Sequence, residues 1–285
     1  MQGCFFVITV LSVRLPEAKG RLDKLTRRLR RDKLDISIRE ARGVCLKHIT
    51  YTGYNGKICL ERADKIIGAQ RAQLVCSDKL VFPESCGYKR FCSPDFSVRL
   101  CTNMALSVLS ACGCAAKIKL GIYDINGDSC DFLYHALEYC SDVTIFTKNI
   151  GAYRCVADRA LDELGAASVI TTNPGELSGC DFAVAVQPVE HELGLSANTI
   201  VLTVAEPRAK IGGRVYYRYH FRMPNGFDAI KPPDLDEEYF CSALYTLGGQ
   251  YQLGSIVPLV CRGFQSSQTV KSLCESLRNF CKNQP

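Results

Sequence analysis

The sequence contains no G-x-S-x-G elbow, no Walker A loop, no H-E-x-x-H pair and no protein-kinase signature. Their absence removes the motif-borne routes to serine hydrolysis, P-loop phosphoryl transfer, zinc proteolysis and protein phosphorylation. The closest thiol pair, Cys112 and Cys114, has no CxxC partner or zinc-like Cys/His grouping beside it. Cys76, Cys86, Cys92 and Cys101 follow one another at intervals of ten, six and nine, which match no zinc or iron–sulfur signature, so no metal is expected. The opening MQGCFFVITVLSV is too short to span a bilayer and has no positive residues ahead of its apolar run. It reads as a first strand, and the expected location is cytoplasmic.

What is present is ample core material. With 47% hydrophobic residues, 22 Gly and 11 Pro in 285 residues, the chain is globular and neither disordered nor collagen-like, with length for one large or two ordinary domains. Its 17 cysteines are spread through apolar runs and read as reduced, small buried hydrophobes rather than a disulfide scaffold. The formal charge of +6 is concentrated in one basic segment within residues 19–33, which speaks against a nucleic-acid partner. That segment belongs to an expected helix, Pro16 to Lys33, with Leu22, Leu25 and Leu29 on one side. Arg21, Lys24, Arg28 and Arg31 lie on the other, as a solvated face or a surface for phosphate or anionic lipid.

Strands are expected at 5–13 and 44–51, and a short strand with a turn is expected within LVCSDKLVFP. A helix from Pro94 carries Val98, Cys101, Met104, Ala105, Val108 and Leu109 on one stripe. Six further strands are expected at 118–123, 143–146, 168–171, 182–186, 199–204 and 215–221, with helices at 130–140 and 153–164. Continuous apolar strands separated by helices favour a mainly parallel sheet covered on both faces. The connections 172–181 and 187–198 have room only for a turn or short helix, so the second half should be abbreviated. Closing helices are expected from about Asp234 to Gly248 and over 267–282.

The rhythm of residues 119–149, KLGIYDINGDSCDFLYHALEYCSDVTIFTKN, is that of the first half of a nucleotide-binding βαβ unit. Its turn, DINGDS, is not G-x-G-x-x-G. A calcium loop starting at Asp124 fails as well, because Ser129 and His135 stand where Gly and Glu are needed. In this organisation the chain resembles the two-domain shikimate dehydrogenase type, with the glycine fingerprint degenerate.

The resemblance implies an N-terminal α/β domain over 1–116, a Rossmann-like domain over 117–230, and a C-terminal helical segment over 231–285 that packs back on the N-terminal domain. It also implies a ligand site at the carboxyl edge of the central sheet, at Asn126, Gly127, Lys148, Thr171, Thr172 and Asn173. Lys148, 24 residues beyond Asp124, resembles the position that accommodates a ribose phosphate in NADP-preferring enzymes. Asp124 and Asp128 disfavour NAD(P), since two carboxylates beside a diphosphate repel it. Gln187, Glu190, His191 and Glu192 reach the same edge, where Glu190 and His191 could exchange a proton with a ligand. His48, His135 and His220 read as packed or surface histidines. The alternation RVYYRYHFR would put Arg214, Tyr216, Arg218 and His220 on one face, either facing an anion or as the polar face of an edge strand.

Three functions stay open. One is a small-molecule or nucleotide-binding enzyme at the carboxyl edge. The others are a cofactor-free structural or regulatory module working through protein contacts, and an NADP-dependent oxidoreductase. The expected partners are a small-molecule ligand and further copies of the chain. No residue is assigned a catalytic role.

Overall fold

The computed structural model describes residues 6–17, 20, 26, 27, 29–54 and 58–283. Arg21, Lys24 and Arg28 of the helix expected at 16–33 lie outside the described residues, while Arg31 is exposed and not helical and Lys33 already begins a strand, so the helix does not run to its expected end. The chain divides into two units, Met1–Phe96 with Met223–Leu253, and Ser97–Arg222 with Gly254–Pro285.

The first unit is built on a four-stranded sheet of order β2-β3-β1-β4. Strands β1 (Phe6–Arg14), β3 (Val44–Thr52) and the short β4 (Val75–Cys76) are parallel, while β2 (Lys33–Ala41) runs antiparallel to β3. β2 has no counterpart in the sequence reading. Its residues are almost all exposed, with Ile36 and Ile38 in solvent, so no buried face marks it out. It is held instead by the turn to β3, where Arg42 and Gly43 both have positive φ, as a two-residue type I′ hairpin requires.

One face of this sheet buries Leu11, Ile49 and Tyr51 against Ala63 and Ile67 of α1 (Glu61–Ile67), together with Leu74, Cys76 and Tyr88. The opposite parity carries a polar chain: Ser12 lies 2.7 Å from His48 Nε2 and donates to Asp234 Oδ1 at 2.8 Å. The helix expected from Asp234 begins slightly later, as α5 (Glu237–Thr246), because Asp236 accepts from the amides of Glu238 and Tyr239 and so caps it.

The second unit holds an eight-stranded sheet of order β12-β11-β10-β9-β8-β5-β6-β7. Its strands β5 (Lys119–Tyr123), β6 (Asp142–Phe146), β7 (Val169–Thr171), β8 (Phe182–Ala185), β9 (Ile200–Thr203) and β10 (Arg214–His220) fall at the six expected places. All neighbours among these six pair in parallel. Numbered from β5, their spatial order is 3-2-1-4-5-6, the doubly wound order of a dinucleotide-binding fold, with the switch point between β5 and β8. The fold is therefore α/β and Rossmann-like, preceded by a smaller α/β unit.

Helix α2 (Asp95–Cys112) leads into the sheet, and Cys101, Met104, Ala105, Val108 and Leu109 of its expected stripe are buried. α3 (Cys130–Leu137) and α4 (Ile150–Leu164) join the first three strands. The second half is abbreviated as expected: 172–181 holds only the short 3-10 turn Pro174–Gly179, and 187–198 holds no helix.

Two features of the closing segment differ from expectation. A hairpin, β11 (Val260–Gly263) and β12 (Ser267–Thr269), extends the sheet antiparallel before α6 (Val270–Asn283) begins. Residues 231–253 fall in the first unit and 254–285 in the second, where Arg278 of α6 donates to the carbonyls of Ala111 and Cys112 at the end of α2. A cationic donor on the last carbonyls of a helix is a favourable partner for its negative end.

The pairing also corrects the reading of RVYYRYHFR. β10 is an interior strand, paired with β9 and β11, and its register shifts between Tyr216 and Arg218. The irregularity resets the alternation, so Tyr216 and Tyr219 are both buried while Arg218 and His220 are exposed. The four residues expected on one face do not share it.

Candidate functional site: the carboxyl edge at the switch point

In a doubly wound sheet the ligand crevice lies beyond the carboxyl ends of the strands, where the first turn aims backbone amides at a phosphate. Here the turn after β5 closes on itself. Asp124, the first residue beyond the strand, is fully buried, and its carboxylate accepts from the amide of Gly127 at 2.9 Å and from that of Ser129 at 2.9 Å. A third bond comes from the Tyr153 hydroxyl of α4, also 2.9 Å away. Burial, and then the adjacent Asp124 carboxylate, push the Tyr153 hydroxyl far up, so it remains a proton donor.

The negative charge sits where the first helix starts, the end of a helix that favours an anion. Asp124 thus sets a carboxylate of the chain's own on the amides of its turn.

Neighbouring side chains seal the turn further. Gln187, just beyond β8, spans the switch point: its Oε1 accepts from the Ile125 amide at 3.1 Å, and its Nε2 donates to Asp128 Oδ2 at 3.2 Å. Asn126 Nδ2 donates to the same carboxylate oxygen at 3.2 Å. Asn149 caps α4 through the Ala152 amide and donates from Nδ2 to the Asn126 carbonyl at 2.9 Å. Gly127 has φ +77°, and a Cβ there would lie 3.1 Å from Ala152 Cβ and 3.2 Å from Asn149 Cβ. This glycine therefore serves packing of the turn onto α4, in a conformation that L-residues rarely adopt.

The six expected site residues line the ends of β5, β6 and β7. Asn126, Gly127 and Lys148 are adjacent, since the Lys148 amide donates to the Ile125 carbonyl at 2.9 Å. Thr171 joins the row through its carbonyl, which accepts from the Thr147 amide, while its hydroxyl accepts from the Asn173 amide. Asn173 is committed to its own turn, accepting from Gly175 N and donating to Glu176. The side chains of Lys148 and Thr172 are exposed and have no partner among the described residues.

On the far side of the switch point, Tyr123 bonds His191 Nδ1 at 2.8 Å and packs with Phe146 and His191 as an aromatic cluster. Burial pushes the Tyr123 phenol up, against the Glu190 amide that donates to it. Glu190 itself is held by Arg208 at 3.1 Å.

The residues sequence reasoning missed are Tyr153 of α4 and Asn149, which caps that helix. Asp124 was read as repelling a diphosphate, without its role as acceptor. A signal for that role exists: an Asp directly after a strand with Gly three residues on is the spacing at which Asx side chains cap a turn. The turn does not fit a dinucleotide pyrophosphate, because its two inward amides are already bonded to a carboxylate. Among the described residues no group of side chains is placed to hold a metal ion, the described cysteines are free thiols, and no helix is long and apolar enough to cross a membrane.

No protein-family model and no curated protein matches this chain. Solved structures similar to it include a Δ1-pyrroline-2-carboxylate reductase from Thermococcus litoralis in complex with NADH and L-proline, 12% identical at TM-score 0.30, where the match spans 63% of this chain and 60% of that one. A shikimate dehydrogenase from Aquifex aeolicus is 12% identical at TM-score 0.30, over 75% of this chain and 88% of that one. A quinate dehydrogenase from Corynebacterium glutamicum in complex with NAD is 10% identical at TM-score 0.32, over 96% and 99%. Likeness at this level carries neither an activity nor a residue's role to this chain.

Proposed function

We propose that this chain is a Rossmann-like module that works without a dinucleotide cofactor, through contacts with other proteins, further copies of itself included. The observation that carries the reading is the Asp124 carboxylate on the amides of Gly127 and Ser129. To bind there, a pyrophosphate must displace a buried, triply bonded carboxylate or share its space with it, and like charges at that distance repel strongly in a low dielectric. Exposed Leu161 and Leu164 on α4, with exposed Val169 on the outermost strand β7, supply an apolar contact surface at one end of the sheet.

One observation favours a second reading, an NADP-dependent oxidoreductase: Lys148 is exposed and unpartnered at the end of β6, where a ribose phosphate would be met. In that case Asn126, Gly127, Lys148, Thr171, Thr172 and Asn173 would line the ligand.

Calorimetry with NADH and NADPH separates the two. The first reading expects no binding of either at cofactor concentrations up to about 1 mM, at the weak end of the affinity scale. Micromolar NADPH binding that is lost in Lys148→Ala would overturn it in favour of the second.

A further inference from the structure

Strand β2 (Lys33–Ala41) is the outermost strand on one side of the first unit's sheet, and all nine of its residues pair with β3. Among the described residues nothing bonds to the backbone of its other edge. A long strand left in this state presents a row of amides and carbonyls that templates another strand, and natural proteins usually cover or blunt it.

The two faces of β2 differ. Ile36 lies opposite buried Ile49 of β3, so Leu34, Ile36, Ile38 and Glu40 continue the face that carries the core of the unit, yet Ile36 is 49% and Ile38 66% exposed. The other face carries Lys33, Asp35, Ser37 and Arg39. Asp35 holds the Lys33 ammonium at 2.7 Å with both side chains more than half exposed, and Arg39 makes one long bond, 3.5 Å, to the Ala229 carbonyl. Arg39 has no ion-pair partner among the described residues.

Which strand fits this edge is written in the order of its own residues. Two copies of one strand meet antiparallel about a twofold axis, and because outward backbone groups alternate along a strand, that axis must pass through a residue and never between two. With the axis at Ser37, all nine residues are paired: Asp35 stands opposite Arg39 of the second copy and Ile36 opposite its Ile38, each pair occurring twice. The ends set Lys33 against Ala41 and Leu34 against Glu40, and no like charges meet. A shift of the axis by one residue loses this. At Ile36 it sets Lys33 against Arg39, and at Ile38 it sets Ile36 against Glu40 and leaves Asp35 facing Ala41. With Asp35 or Arg39 on the axis, that residue would face its own charge. Charge and apolar pattern therefore select the same register, and directly opposed pairs are what stabilise an antiparallel ladder.

We propose that β2 pairs antiparallel with β2 of a second copy of this chain, about a twofold axis at Ser37, so that the two four-stranded sheets become one continuous sheet. Ile36 and Ile38 of the two copies cover one another on one face. On the other, Asp35 lies between its own Lys33 and Arg39 of the second copy. The contact shares with the proposed function only the expectation that copies meet, and it is independent of the switch point, which belongs to the other unit.

The test is sedimentation of the full chain at concentrations up to about 100 µM, the range that suits an interface of modest size. The parent is expected to dimerise. Asp35→Arg and Arg39→Asp each turn two attractive pairs per dimer into two repulsive ones, so each should weaken dimerisation at least about tenfold while leaving the melting temperature of these exposed positions unchanged. An equimolar mixture of the two variants should dimerise like the parent, because the new Arg of one then faces the new Asp of the other, and Arg39 of the first faces Asp35 of the second. The chain carrying both changes should do the same.

A parent that stays monomeric overturns the proposal. Dimerisation unchanged by both reversals places the contact elsewhere, on α4 and β7 for example, and rejects β2 without touching the reading of the switch point. Weak association in the single variants that neither mixing nor the double change restores would refute the twofold register at Ser37.

Discussion

Removing the Asp124 side chain tests the reading of the switch point most directly. Asp124→Ala deletes three charge-assisted bonds and leaves the Gly127 amide, the Ser129 amide and the Tyr153 hydroxyl without their acceptor. A buried donor left unmade costs about 1–3 kcal/mol. The Ser129 amide is nearer the surface and can be taken up by water, so the sum is about 3–6 kcal/mol, large against the roughly 5–15 kcal/mol that holds a domain together. At about 3 °C per kcal/mol for a domain of this size, the melting temperature should fall by roughly 9–18 °C.

Tyr153→Phe removes one donor and leaves the carboxylate on its two amides, so it should cost only about 1–2 kcal/mol. Asp124→Gly adds the diagnostic step, because it frees the same two amides as an anion site. Phosphate should then stabilise the variant more than it stabilises the parent, by about 2.7 kcal/mol at a hundred times its Kd. Differential scanning calorimetry with and without phosphate reads both quantities. A loss below about 1 kcal/mol in Asp124→Ala, or equal phosphate effects on variant and parent, would refute the idea that the carboxylate stands in for a bound anion.

Two further outcomes follow from other parts of the molecule. His48 is buried beside Ser12, and burial lowers its pKa, opposed by Asp234 and assisted by Arg39 and Arg14. Between that lowered value and the ordinary value of about 6.5, the unfolded chain binds more protons than the native one. Stability should therefore be level above about pH 6.5 and decline as the pH falls below it, and His48→Gln should flatten that slope in chemical-denaturation series at several pH values. If Leu161, Leu164 and Val169 form a contact between copies, light scattering should show association in the parent, and Val169→Lys should return it to monomer without lowering its melting temperature. A monomeric parent would remove this surface from the proposal.

Much of the second unit was legible in the sequence because its strands are buried on both sides. Runs such as LGIY and FAVA are continuous apolar segments whose length and flanking turns leave little choice of structure, and the short connections at 172–181 and 187–198 announced the abbreviated half. β2 escaped because a strand exposed on both faces carries no burial pattern, and its register comes from the positive φ at Arg42 and Gly43. The alternation in β10 misled because one irregular residue reverses which side chains face inward, and that depends on the pairing with β11, a partner some forty residues further on.

At the site the division is similar. The sequence by itself determined that a turn with carboxylates, and only one glycine, stands where a phosphate-binding turn would be. Whether Asp124 points out to solvent or inward onto the amides of its own turn was decided by tertiary structure alone. The Tyr153 hydroxyl and Gln187 arrive from α4 and from beyond β8, and a carboxylate can be buried only where such distant donors converge on it.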